Sequence, residues 1–170
     1  EVRQTDTCIR MHTEQEFAHF ALSLTRVVEL YGRTVRSSIT LNNTGRRPIP
    51  IRWFPHPFYP QTEGDELCRL NIPVSFPEND GYALADSGFI ARKNWPHWER
   101  GYYQALTHEA HNNLVIFQKH PTVGLVAATC SYVPNFFPIW GNKNTFSWEP
   151  FLERSAASGQ QLVWSIDYEF

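Results

Sequence analysis

Cysteine, glycine-rich loops and long apolar runs are scarce in this sequence, and each shortage excludes a class of protein. Three cysteines, Cys8, Cys68 and Cys130, are spread over 170 residues. An odd, widely spaced set fits reduced thiols in a cytosolic protein better than a disulfide framework. Without a C-x-x-C pair it does not fit a structural zinc site. No apolar run is long enough to span a bilayer. Residues 1–30 are charged and polar and lack the continuous apolar core of a secretory signal. The formal net charge is −2, which leaves no electrostatic footprint for nucleic acid or an anionic membrane. There is no phosphate-cradling glycine loop and no nucleophile elbow. His108-Glu109-Ala110-His111 lacks the helical H-E-x-x-H spacing of a zinc protease, so a solvated loop is expected there. A cytoplasmic protein with no metal, no cofactor and no nucleic-acid or membrane partner is the expectation.

Aromatic residues and proline, by contrast, are abundant: six Trp, seven Tyr, twelve Phe and twelve Pro. That composition favours sheet over helix. Alternating apolar residues predict strands over much of residues 17–30, over Thr34 to Leu41 and over Leu162 to Phe170. A helix is the competing reading for 17–30. Tyr31-Gly32-Arg33 and Asn42-Asn43-Thr44-Gly45 read as turns. Leu114 to Phe117 and Val123 to Ala128 are continuous apolar runs, expected as strands buried on both faces. Phe136 to Gly141 is a further strand. Residues 60–100 are dense in turn formers and charge, and are expected as short strands and long loops over the mouth of a site. The one short helix expected is Pro150 to Ala157. No repeat or linker interrupts the chain, so a single, all-β, mainly antiparallel β-sandwich domain over residues 1–170 is the economical reading.

The most informative stretch is Arg52-Trp53-Phe54-Pro55-His56-Pro57-Phe58. Proline fixes φ and has no backbone donor, so neither Pro55 nor Pro57 can sit in a central ladder. The backbone must leave the sheet near His56, at a rim. A group able to give or take a proton near neutral pH, framed by aromatic rings, suits carbohydrate chemistry.

In order and spacing, several segments resemble the C-terminal part of the aldose 1-epimerase (galactose mutarotase-like) family. Leu41-Asn42-Asn43-Thr44-Gly45 with Pro48-Ile49-Pro50 resembles a family strand and turn. His56-Pro57-Phe58 resembles its His-Pro corner, Trp148-Glu149-Pro150 its Glu-Pro strand end, and Gly159 to Phe170 its closing strand. The resemblance implies a large β-sandwich and an activity that interconverts sugar anomers. Family members are longer, and their N-terminal portion supplies an arginine and a further histidine to the sugar site. A homo-oligomer, or an N-terminal segment not in this sequence, would then complete the site. The family's mid-chain aspartate is matched best by Glu99 within Trp98-Glu99-Arg100-Gly101-Tyr102.

Anomer exchange needs a base to take the proton of the anomeric hydroxyl and an acid to protonate the ring oxygen, with the roles reversed on closure. The resemblance implies Glu149 as base and His56 as acid. The ligand would be a small-molecule sugar, an aldohexose or its phosphate, with Glu99, Phe58, Trp148 and Tyr102 as contacts. Trp53, Trp95, Trp98 and Trp140 are further candidate platforms, because the CH face of a pyranose stacks on aromatic rings. Each residue also has a plainer role: a solvated strand-end carboxylate for Glu149, a histidine satisfying a carbonyl for His56, a surface charge near Arg92 or Arg100 for Glu99, and core packing for most of the rings. Arg46-Arg47 would suit a sugar phosphate or simply a solvated turn. The Asn42-Asn43-Thr44 glycosylation pattern reads as a chance match. Two other classes stay open: a non-catalytic carbohydrate-binding sandwich, and a structural remnant whose uncovered sheet edge pairs with another chain.

Overall fold

Alternation of apolar and polar residues along the chain produces strands almost throughout. The computed structural model describes residues 1–109, 111 and 113–170. In chain order the strands are β1 (Val2–Gln4), β2 (Cys8–Phe17), β3 (Phe20–Tyr31), β4 (Thr34–Asn43), β5 (Ile49–Trp53), β6 (Tyr59–Pro60), β7 (Glu66–Leu70), β8 (Val74–Ser75), β9 (Tyr82–Leu84) and β10 (Ile90–Arg92). After a short 3-10 turn, Trp98–Arg100, come β11 (Tyr102–His108), β12 (Val115–His120), β13 (Gly124–Cys130), β14 (Phe137–Gly141), β15 (Thr145–Trp148), β16 (Leu152–Ala156) and β17 (Gln161–Glu169). Among the described residues no helix is long and apolar enough to cross a membrane.

Two antiparallel sheets form the sandwich. The larger has ten strands in the order β1-β2-β3-β4-β17-β13-β12-β7-β10-β9, the smaller five in the order β6-β15-β14-β11-β8, and β5 pairs with β16 as a two-stranded ribbon. The long meander β2-β3-β4 continues into β17, which pairs with β4 from Gln161↔Asn42 to Glu169↔Thr34. Period-two alternation sets the register: Ile39 and Leu41 on β4 and Trp164 and Ile166 on β17 all turn inward and are buried. From the smaller sheet, Leu106, Phe137, Ile139, Phe146 and Trp148 fill the same core. The Trp148 and Tyr168 rings stack across it, with centroids 6.2 Å apart. No residue of β1, β2 or β3 is fully buried, although Leu24 of β3 packs against the core.

The strand reading of residues 17–30 holds, and other expectations need correction. Residues 17–30 contribute to β2 and β3, joined by a hairpin, rather than to the competing helix. Pro150 to Ala157 is not a helix: Leu152–Ala156 pairs antiparallel with β5, from Leu152↔Trp53 to Ala156↔Ile49, and buries Leu152 and Ala156. The two apolar runs are not buried on both faces. On β12 Ile116 and Gln118 are buried and their neighbours are not, and on β13 Leu125 stays exposed. Residues 60–100 do form short strands and loops, but Leu67, Cys68, Leu70, Tyr82 and Ile90 lie in the core. The Asn42-Asn43-Thr44 pattern, read as a chance match, begins within β4, where the Asn42 side-chain amide donates to Ser23 at 3.0 Å.

Candidate active site

The corner forms as its prolines dictate. β5 ends at Trp53, β6 opens at Tyr59, and Pro55 and Pro57 lie in the unpaired span between them. His56 is aimed at β15. Its Nδ1 lies 2.9 Å from the hydroxyl of Ser147, and its Nε2 lies 3.2 Å from Oε1 of Glu149. The imidazole stacks on Phe58, with centroids 4.3 Å apart and planes at 25°. Its side chain remains 36% exposed, so one edge is open to solvent.

Glu149 sits at the end of β15, where Pro150 stops the ladder. Its backbone N–H donates to the carbonyl of Pro138 at 2.9 Å. The buried Tyr132 hydroxyl donates to the carbonyl of Pro150 at 2.8 Å, so the corner is fixed on both sides of the carboxylate. Glu149 is only 7% exposed. Burial pushes its carboxyl above the usual carboxylate range, and the neighbouring His56 charge works in the opposite direction. A carboxylate and an imidazole in direct contact can exchange a proton, and both can reach a hydroxyl placed between them.

One face of the smaller sheet carries the surroundings. Tyr103, Trp140 and Ser147 lie directly opposite one another on β11, β14 and β15, and opposed residues of antiparallel strands share a face. Trp140 meets both His56 and Phe58 edge-on, at 6.2 and 6.3 Å. Phe58 is 63% exposed and Tyr103 52%, so both present open ring surface. Burial and then the Glu149 charge push the Tyr103 phenol upward, while Arg52 opposes them. The Arg52 guanidinium lies over the Phe151 ring at 4.8 Å and pairs with Glu153 at 3.1 Å. On the other side of the corner, a cavity of about 250 Å³ runs from His56 to Arg26, Ser37 and Tyr168 on the larger sheet.

The structure brings His56, Glu149 and Phe58 together, although 93 positions separate the first two along the chain. It does not bring the other expected contacts to them. Trp148 is fully buried, packed against Tyr59 and Tyr168 on the inner face of β15, where no ligand at the rim can reach it. Tyr102 faces away from Tyr103. It joins Tyr82, Trp95 and Trp98 in a separate aromatic cluster, and its hydroxyl accepts from the N–H of Asp80 at 3.2 Å. Glu99 is exposed on the 3-10 turn. Arg92, a partner considered for it, instead reaches Asp65 at 4.0 Å and the Trp98 ring. Trp53 packs edge-on against Tyr132 and Trp164. Arg46 lines a cavity at the tip of the β2–β3 hairpin with Glu16, His19 and Phe20. Ala110, in the His108–His111 stretch, lies outside the described residues. Among the described residues, no three His, Cys, Asp or Glu side chains converge to hold a metal ion. Ser147, Tyr103 and Arg52 are the neighbours that residue type and spacing did not single out. The only available signal was parity: Ser147 lies two residues from Glu149 and therefore on the same face.

The chain aligns over 99% of its length with a galactose mutarotase related enzyme from Lactobacillus acidophilus, at TM-score 0.68 and 12% identity, covering 70% of that chain. A protein from Synechocystis aligns at TM-score 0.68 and 15% identity, covering 64% of its chain. A galactose mutarotase-like protein from Lactobacillus casei aligns at TM-score 0.70 and 12% identity, covering 72%. The shared feature is the fold, a galactose mutarotase-like β-sandwich. This chain spans about two thirds of the length of these neighbours. No family model and no curated protein matches the sequence.

Proposed function

We propose that this protein is a cofactor-free isomerase of the aldose 1-epimerase type, interconverting the anomers of an aldohexose or its phosphate. The observation that carries the reading is the contact of His56 Nε2 with Glu149 Oε1, 3.2 Å apart at an open, ring-lined rim. Glu149 takes the proton of the anomeric hydroxyl and His56 protonates the ring oxygen. The C1–O5 bond breaks, the open aldehyde turns about C1–C2, and the ring closes on the other face with the two roles exchanged. No net proton or electron is consumed, which suits a site built from one acid and one base. Phe58 and Trp140 offer the apolar surface on which a pyranose stacks. Tyr103 and Arg52 supply hydroxyl and guanidinium donors. The test is anomer exchange, followed by polarimetry or NMR on glucose, galactose and their 6-phosphates. The reading expects acceleration that Glu149→Gln removes, and equal rates for the two proteins would refute it.

The exposed rings support a second reading, a carbohydrate-binding sandwich without catalysis. Phe58 and Tyr103 offer stacking surface whether or not a proton moves. That reading expects saturable sugar binding with anomer exchange no faster than in buffer.

A further inference from the structure

Both ring nitrogens of His56 are engaged by β15, and by groups of different kinds. Nε2 faces Glu149 and Nδ1 faces Ser147. An ionised carboxylate can only accept, so Nε2 must carry the hydrogen. A neutral ring then presents a bare lone pair at Nδ1, which needs a donor. Ser147 is fully buried, so its hydroxyl faces the ring away from solvent and serves as that donor. When the ring is an imidazolium, Nδ1–H donates and the same oxygen accepts. A hydroxyl can do both by rotating about its C–O bond, whereas a backbone N–H or C=O can do only one.

We propose that Ser147 is the positioning residue of the pair. Glu149 sets the Nε2–H tautomer of His56, and Ser147 answers whichever state Nδ1 is in, donating to the neutral ring and accepting from the imidazolium, so that the ring keeps its place through both protonation states. The tautomer follows from the hydrogen bonds alone, while its catalytic consequence rests on the isomerase reading. The other charged or titratable groups around the ring are Arg26 and Tyr168 across the cavity behind the corner, and Tyr103 and Arg52 beyond Glu149.

Long-range proton–nitrogen correlation spectra of the full chain, with histidine labelled in the ring, test the claim at about pH 8, where an unperturbed imidazole is mostly neutral. The expected wild-type pattern is a pyrrole-like Nε2 and a pyridine-like Nδ1 for His56, and in Ser147→Ala the tautomer stays while the Nδ1 resonance moves toward that of a pyridine-like nitrogen without a hydrogen-bond donor. A pyrrole-like Nδ1 in the wild type overturns the proposal, and so does an Nδ1 resonance that is unchanged in Ser147→Ala. Ser147→Cys, close in shape but a weaker donor, is expected to fall between the two and serves if the alanine variant does not fold. If the protein exchanges anomers, Ser147→Ala lowers kcat about 10- to 100-fold, as a misplaced catalytic group does, with KM little changed. A wild type without anomer exchange would refute the isomerase reading and leave the tautomer result standing.

Discussion

Ser147 and Trp148 are adjacent in the chain and point to opposite faces of β15: the serine touches His56, and the tryptophan packs against Tyr59 and stacks on Tyr168 in the core. Substitutions at neighbouring positions should therefore fail in different ways. Trp148→Ala should cost about 3–5 kcal/mol of stability, the usual loss for a buried large aromatic ring. Phe58→Ala should leave stability nearly unchanged and weaken sugar binding. Thermal melts and a sugar titration of both variants check this, and a stable Trp148→Ala protein with lost sugar affinity would contradict the placement.

Removing the base tests the chemistry directly. Glu149→Gln keeps the shape of the side chain and should reduce kcat for anomer exchange by about 10²- to 10⁴-fold, the usual range for a positioned proton-transfer group. Polarimetry under saturating sugar gives the measurement.

Glu149 also makes stability depend on pH. Its carboxyl is raised by burial, so the folded state holds that proton more tightly than the unfolded chain does. The stabilisation this gives is complete below the ordinary carboxylate range and is lost as pH rises through the folded value. Glu149→Gln carries no such loss. Its melting temperature should exceed that of the wild type on the alkaline side, and the gap should close toward acid. A gap that does not vary with pH would refute burial as the cause. For the same reason the acid limb of the wild-type pH–rate profile should sit above the usual carboxylate range.

Tyr103→Phe keeps the ring and removes the hydroxyl that lies near Glu149 and Arg52. The side chain is half exposed, so stability should hold. Sugar affinity should fall several-fold, equivalent to about 1 kcal/mol for one hydrogen bond. Isothermal titration distinguishes this from a loss of stacking, which Tyr103→Ala would add.

Tyr132→Phe removes the hydrogen bond that ties down the Pro150 carbonyl. A stability loss of about 0.5–1.5 kcal/mol is expected. In a chain of this size that lowers the melting temperature by about 2–4 °C per kcal/mol. A larger fall in kcat than in stability would show that the corner serves the carboxylate as well as the fold.

Strands with clean alternation, such as β4 and β17, were legible in the sequence because period two has no other reading over that length. Leu152 and Ala156 show where the pattern gives out. Residues four apart share a face in a helix and also in a strand, so the spacing fits both, and only the partner strand β5 decides between them. The Tyr102–Tyr103 pair shows the same limit at the site. Neighbouring residues on a strand face opposite ways, but the sequence does not say which face is which until Trp140 is seen opposite Tyr103. His56 and Glu149 were singled out because prolines mark both strand ends and because the two corners resemble the family's His-Pro and Glu-Pro motifs; position alone would have left Glu149 a solvated carboxylate. Ser147 was not, because a serine beside a tryptophan carries no mark of its own.

The two prolines around His56 also affect how the molecule meets other chains. Neither offers an N–H, so the span between β5 and β6 presents a broken row of donors that an incoming strand cannot zip onto. The rim can therefore stay open to a small molecule without becoming a seed for aggregation.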